Sequence, residues 1–336
     1  MRAALFLILT LLPFAFLLLP SLSVAFRPMT NIAFRLKKSA PLALFALAFA
    51  VSASVSAQSG RRSDEKKGAA TPTPTPQLLK RTTTRHETRR LGFGGSVTLV
   101  SAPEGSVTVE SWQKDEVEIT ADLEQSATTE EELTRLAAIN TFVIDDDLNH
   151  VRVMTVGLHD RKYAKRVARD LPKNLLAMPW KIDYHLRVPA SVDLEINAGR
   201  GALSVSGVEG ALQVSAGGEG GASFTLAGGD VNVTLASGPV TVRVAARSWR
   251  GRGMDVRLAR GDLTVELPVG FSGDVNAEVL RTGRIENACA ELSAREHTQT
   301  TDRSLQARAG AGGATLSFTV GDGTLRIRQV GRKQGQ

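Results

Sequence analysis

The sequence predicts an all-β protein, an irregular β-solenoid or roll of short glycine-punctuated strands with a small helical insertion in its N-terminal half. Two observations carry this. Apolar residues recur at every second position, as in Val117, Ile119, Ala121 and Leu123 and again in Ile182, Tyr184, Leu186 and Val188, which is the period of half-buried strands. From Asn197 onward, short apolar stretches follow glycines at Gly201, Gly210, Gly229, Gly238 and Gly261, spaced by 9, 19, 9 and 23 residues. The returning 9-residue step marks an irregular stacked repeat, in which each short strand leans on the next. A β-sandwich, which also has short strands with turn signals about every 8 to 12 residues, is the competing architecture.

In chain order, residues 29–57 have the build of an export signal. Arg35, Lys37 and Lys38 precede an apolar run at residues 42–50, and Val55-Ser56-Ala57 places small residues where a signal peptidase reads them. Cleavage after Ala57 makes Gln58 the first mature residue. Residues 3–19 form a second apolar run, broken by Pro13 and marginal for a hydrocarbon core of roughly 30 Å. Met29 stands where an ordinary signal peptide starts, so residues 1–28 read as lying upstream of the true start; a signal anchor is the alternative. No later stretch is apolar enough to span a membrane, and membrane contact is expected only through an uncleaved N-terminus. Residues 58–90 show no apolar periodicity and contain Thr71-Pro72-Thr73-Pro74-Thr75-Pro76, a repeat that lacks backbone donors and favours an extended chain. They read as a basic, solvated tether.

Residues 91–336 read as the folded part. Of the 41 Lys and Arg and 34 Asp and Glu in the whole chain, this part keeps 27 cations against 31 anions, about −4 net. The basic excess therefore belongs to the export and tether segments, and a nucleic-acid partner is not expected. Helical character is confined to about residues 127–172. Thr128 or Thr129 caps a first helix, with Glu131 or Glu132 completing a capping box and Leu133, Leu136 and Ala137 forming its apolar face. A second helix spans about residues 160–171, with Tyr163, Val167 and Leu171 on one stripe and Pro172 at its end. Its other side gathers basic residues, of which Arg161, Lys165 and Arg169 form a candidate anion-binding face.

Three stretches carry a family resemblance. Gly105-Ser106-Val107-Thr108-Val109-Glu110-Ser111-Trp112, followed by Glu116-Val117-Glu118-Ile119-Thr120-Ala121, resembles the opening strands of the bacterial β-strand-repeat family of unknown function often labelled putative adhesin. Gly261-Asp262-Leu263-Thr264-Val265-Glu266-Leu267-Pro268 is similar to its middle repeats. Residues 316–320 with Gly321-Asp322-Gly323-Thr324-Leu325-Arg326-Ile327-Arg328 are similar to its closing hairpin. The resemblance spans roughly residues 95–330 and implies fold and export; its motifs are turn-and-strand chemistry, with no catalytic signature, and the helical insertion departs from the plain repeat.

Chemistry-bearing residues are sparse. One cysteine, Cys289, excludes a disulfide framework and a cysteine-based zinc site. It has no basic neighbour in sequence and reads as a small buried residue. No serine stands in a G-x-S-x-G frame. Asp145, Asp146 and Asp147 with His150 are the best metal-like cluster, yet they sit between Phe142-Val143-Ile144 and Val151, Val153 as a hairpin turn does. Gly217-Gly218-Glu219-Gly220-Gly221 lacks the lysine and following helix of a phosphate loop and reads as a turn. Asp230, Asp262 and Asp274 follow turn glycines and would line one edge if successive strands stacked in register, but they read more simply as turn residues. Arg260-Gly261-Asp262 matches a cell-attachment tripeptide. Gly-Asp recurs at Gly229-Asp230 and Gly273-Asp274, so the shared element is the turn.

No cofactor or metal is expected. The sequence thus predicts an exported, periplasmic, cell-surface or extracellular non-enzymatic protein that acts by contact with a polymer, envelope component or partner protein. The alternatives are a polysaccharide-acting enzyme on a β-helix, for which Trp112, Trp180 and Trp249 offer few platform aromatics, and an envelope-stress accessory protein.

Overall fold

The computed structural model describes residues 78–100, 103–167, 171–296 and 298–331. The export segment, the Ala57–Gln58 junction, the tether as far as residue 77, and Arg169 lie outside the described residues. Among those described, no helix is long and apolar enough to cross a membrane.

The chain opens with β1 (Leu79–Arg90), β2 (Ser96–Val100), β3 (Val107–Trp112) and β4 (Glu116–Ala127), followed by α1 (Glu130–Ile139). The hairpin β5 (Thr141–Asp146) and β6 (His150–Val156) leads to α2 (Arg161–Val167), a 3-10 turn at Lys173–Ala177, and β7 (Trp180–Pro189). Strands then come in pairs: β8 (Asp193–Ala198) with β9 (Leu203–Ser206), β10 (Ala211–Ala216) with β11 (Ala222–Leu226), and β12 (Gly228–Leu235) with β13 (Val240–Val244). They continue as β14 (Arg250–Arg260) with β15 (Leu263–Pro268) and β16 (Gly273–Thr282) with β17 (Ile285–Asn287). Two short strands, β18 (Ser293–Ala294) and β19 (Ser304–Ala309), precede the last pair, β20 (Thr315–Asp322) and β21 (Leu325–Val330).

Each pair puts its first strand in an eleven-stranded sheet and its second in a ten-stranded one. Strands of neighbouring pairs run parallel, for example Leu212 beside Leu194 and Val231, and Phe224 beside Val205 and Val242. Alternate side chains point inward, and those of both sheets form one continuous apolar cluster, with Val97, Leu99, Val109, Val233, Val265 and Ile327 all below 2% exposed. A smaller cluster of Ala127, Leu133, Leu136 and Leu175 lies under the helices. Thr129 caps α1 by accepting from the Glu132 amide at 3.2 Å, while the Glu132 carboxylate accepts from the Thr128 amide at 3.0 Å.

The glycines build the corners between sheets. Gly218, Gly238, Gly261, Gly323 and Gly283 stack along one corner with φ of +77°, +104°, +134°, +143° and +125°, and a Cβ on any of the last four would run into the carbonyl of the glycine before it in the stack. Gly210, Gly229 and Gly251 form a second stack at the opposite corner, beginning on the Val192 carbonyl. The sequence intervals follow: 9 residues lead from one corner to the other, and 19 or 23 complete a circuit.

Both ends of the stack depart from chain order. The first pair, β2 and β3, lies between β6–β7 and β8–β9; the last pair, β20 and β21, lies between β14–β15 and β16–β17. β20 and β21 occupy different sheets, which corrects the expectation of a closing hairpin. Likewise, among its described residues, the insertion at residues 127–172 is helical at its flanks, and the β5–β6 hairpin between them extends the eleven-stranded sheet.

The tether expectation also needs correction over residues 79–90. They form the edge strand β1, paired along its whole length with β4. Its inward positions carry arginines where other strands carry apolar residues. Arg81 meets Glu130 and Thr134 of α1, Arg85 donates to the Phe142 carbonyl at 3.0 Å and covers the Phe142 ring at 4.4 Å, and Arg89 reaches Asp146 at 3.3 Å. Arginine stems cover the open end of the core while their heads stay wet, and inward charges protect an edge from pairing with another chain.

Candidate functional site

The register lines up outward side chains across strands. On the eleven-stranded sheet, Arg152, Thr98, Glu195, Gln213, Asn232, Asp255, Ser317, Asn276 and Gln306 form one row across nine consecutive strands. Over its β2–β12 part lies an open trough of about 530 Å³, floored by Thr98, Glu195, Gln213 and Asn232, with Asp193, Asp230 and His150 along one side. Hydroxyl, amide and carboxylate groups repeated at the strand spacing of about 4.8 Å suit a long, uncharged, hydrogen-bonding chain laid across the strands.

The carboxylates here are largely engaged. Asp193 accepts the Ala211 amide at 2.8 Å, Glu195 accepts from Asn197 at 3.0 Å, and Asp230 pairs with Arg252 at 3.1 Å. Asp193 and Asp230 flank Ala211 in the register, two strands or roughly 10 Å apart. A glycosidase acid needs a carboxyl held protonated by its surroundings. Where carboxylate pKa values depart from the ordinary range among the described residues, they fall: Asp322 to about 2 through Arg281 and Thr282, Asp274 through Arg308, and Asp262 through the Thr324 amide and Arg326. At Glu266 burial raises the value, and the guanidiniums of Arg243 and Arg328 more than offset it.

The residues singled out in the sequence are dispersed. Asp145 faces Arg152 in the β5–β6 register, Asp146 pairs with Arg89, and Asp147 closes the turn by accepting the Asn149 amide at 2.8 Å, so the three do not converge. His150 hydrogen-bonds Thr98 at 3.2 Å. Asp230 and Asp274 share one row but stand three strands, roughly 14 Å, apart, and Asp262 lies on the other sheet's corner. Asp262 stands at a corner, but its carboxylate accepts the amide of Thr324 on the neighbouring corner at 3.0 Å, not one of its own turn; Asp230 and Asp274 hold Arg252 and Arg308. Gly261 donates its amide to the Asp322 carbonyl at 2.8 Å, so Arg260-Gly261-Asp262 is a corner of the stack. Gly217–Gly221 is a turn fixed on its neighbour, Gly217 donating to the Gly199 carbonyl at 2.9 Å and Gly220 to that of Arg200 at 2.7 Å.

Cys289 is buried at 3% exposure. Trp249 is buried and donates to the Gly229 carbonyl, Trp112 donates to Glu116, and Trp180 packs on His159 at 5.4 Å, so all three indoles serve the fold. Arg161 and Lys165 are exposed on α2, whose Asp160 accepts the Lys162 amide at 2.8 Å. Sequence reasoning missed the trough because Thr98, Glu195, Gln213 and Asn232 are ordinary outward positions until register brings them side by side.

No family model matches the chain, and no curated protein matches it. Solved structures similar to it include the following three. A putative cell adhesion protein from Clostridium sporogenes is 10% identical over 74% of this chain and 100% of its own, with a TM-score of 0.40. A putative adhesin from Bacteroides fragilis is 9% identical over 76% and 99%, with a TM-score of 0.24, and a putative lipid binding protein from Parabacteroides distasonis is 10% identical over 74% and 96%, with a TM-score of 0.17.

Proposed function

We propose that the protein is an exported, non-enzymatic contact module, a short two-faced β-solenoid that holds an extended polymer of the cell envelope or surroundings across the outer face of its eleven-stranded sheet. The observation that carries this is the trough over Thr98, Glu195, Gln213 and Asn232, whose hydrogen-bonding groups repeat along a line across β2, β8, β10 and β12. Export is supported by residues 29–57 with the Ala57–Gln58 junction, and residues 58–77 are the spacer that carries the module away from its point of release. A polymer laid here gains from many weak bonds in series, so binding grows with chain length.

The test is affinity retention of the purified protein on a panel of neutral and acidic envelope polysaccharides. Gln213→Ala with Asn232→Ala removes two central groups and is expected to weaken retention about tenfold or more at unchanged stability, since both side chains are exposed. Arg161→Ala with Lys165→Ala is expected to leave it unchanged. The reverse pattern, with retention lost in the helix variant and weakened by salt, would move the contact surface to α2. The rival reading, a polysaccharide-acting enzyme, has one observation in its favour: Asp193 and Asp230 stand beside the trough at a spacing within reach of a carboxylate pair.

A further inference from the structure

We propose that one tip of the sheet stack is a membrane-interface anchor, in which Phe93 and Leu148 dip together into an uncharged bilayer surface. Phe93 is 91% exposed and Leu148 85%; the next most exposed large apolar residue among those described is Leu280 at 54%. These two stand on adjacent turns at the same end of the molecule. Phe93 lies between β1 and β2, Leu148 between β5 and β6, and the turns are tied by the Gly92 amide on the Leu148 carbonyl and the Ser96 amide on the Asn149 carbonyl, both at 2.8 Å.

The presentation is built into the backbone. Gly95 donates to the Gly92 carbonyl at 3.0 Å, Gly94 takes φ +70° at the apex with nothing around it, and a Cβ at Gly95 would press on Leu91 and on the Asn149 carbonyl oxygen at 2.9 Å. On the other turn, Asp147 accepts the Asn149 amide. A third turn joins them, through the Leu91 amide on the Asp115 carbonyl at 3.1 Å, and brings half-buried Trp112 with Lys114 stacked over its ring at 4.6 Å.

Two protruding apolar side chains on short, hydrogen-bonded turns need no matching pocket if they enter lipid, whereas a protein partner needs one for each. Most of the surrounding charges compensate one another, and Lys114, Asp115 and Asp147 on the turns themselves leave one net negative charge, so the tip is not drawn to anionic lipid. Asp146 pairs with Arg89, Glu87 with Arg85 and Arg89, Asp145 faces Arg152, and Arg90 faces Glu116. Insertion is therefore driven by apolar burial and is indifferent to lipid charge, unlike a polybasic surface. It is distinct from the polymer trough and goes beyond the sequence expectation that only the N-terminus meets a membrane.

The experiment measures partitioning of the full chain onto vesicles of phosphatidylcholine alone and of phosphatidylcholine with phosphatidylglycerol, for wild type, Phe93→Ser, Leu148→Ser and the double variant, with Leu280→Ser as control. Each tip substitution is expected to lower partitioning about tenfold or more on both vesicle types, and the control and added salt to leave it unchanged. Equal melting temperatures show that folding is intact. Because the N-terminal apolar run can bind vesicles itself, a second arm places a tryptophan at the tip, Phe93→Trp, and reads its quenching by lipids brominated near the headgroup. Quenching supports the anchor. An unquenched tip together with partitioning equal in wild type and double variant, binding that requires phosphatidylglycerol and vanishes with salt, or a tip signal that changes only with protein concentration, as a second copy docking would give, each overturns it.

Discussion

Replacing Gly261 by alanine tests the glycine corner directly. Gly261 has φ +134°, and a Cβ there would stand 2.9 Å from the Gly238 carbonyl carbon, with the oxygen nearer still. The backbone conformation alone costs about 1–3 kcal/mol for a residue with a side chain, and forcing the methyl against backbone that cannot rotate away adds about 1–3 kcal/mol. The sum, about 2–6 kcal/mol, is a large part of an ordinary domain stability of about 5–15 kcal/mol. Gly94→Ala is the internal comparison: φ is +70° and nothing lies within 4 Å, so only backbone strain remains, about 1–2 kcal/mol. Urea unfolding followed by circular dichroism reads both, provided the two variants share one m-value. Gly261→Ala indistinguishable from Gly94→Ala would refute the stacked-corner reasoning, because it would mean that no neighbouring carbonyl occupies the Cβ direction.

Other expectations concern charges. Asp262, Glu266, Asp274 and Asp322 have folded pKa values below their unfolded ones, so their stabilising contribution is full above about pH 4.5 and is lost as pH falls toward 2; urea midpoints measured from pH 5 to 2 should drop, and less so in Glu266→Gln. Glu266→Gln itself should cost about 1–3 kcal/mol near neutral pH, since it leaves Arg243 and Arg328 facing a neutral amide. Arg85→Ala should release β1 without unfolding the stack, seen as faster amide exchange confined to residues 79–90. Asp262→Glu should leave any attachment to animal cells unchanged, since Asp262 is held by Thr324 and Arg326 within the corner.

How much of this was legible in the sequence follows from what each residue is asked to bury. Strands that face the core alternate visibly, as Val117 to Leu123 do, and Thr128 or Thr129 with Glu131 or Glu132 announced α1, of which Thr129 is the cap. β1 did not announce itself, because Arg81, Arg85 and Arg89 occupy the inward positions where a strand is recognised by apolar side chains. The 9-residue glycine step was readable but stood for half a circuit, since Gly201, Gly238 and Gly261 belong to one corner and Gly210 and Gly229 to the other. Insertion of β2–β3 and β20–β21 out of chain order has no local signature: a parallel strand pairs equally well with any neighbour of the same pattern. The trough was hidden for the same reason, and Phe93 because an exposed aromatic in a Gly-rich stretch looks like any loop residue.

Contact without chemistry across β2, β8, β10 and β12 shows when the protein is incubated with a polymer it retains and the polymer's length distribution is measured afterwards. Polymer is expected back at its original length, with binding lost in Gln213→Ala plus Asn232→Ala and kept in Asp193→Asn plus Asp230→Asn. Shortened chains whose appearance stops in the Asp193→Asn plus Asp230→Asn variant would contradict it and make the trough a catalytic cleft.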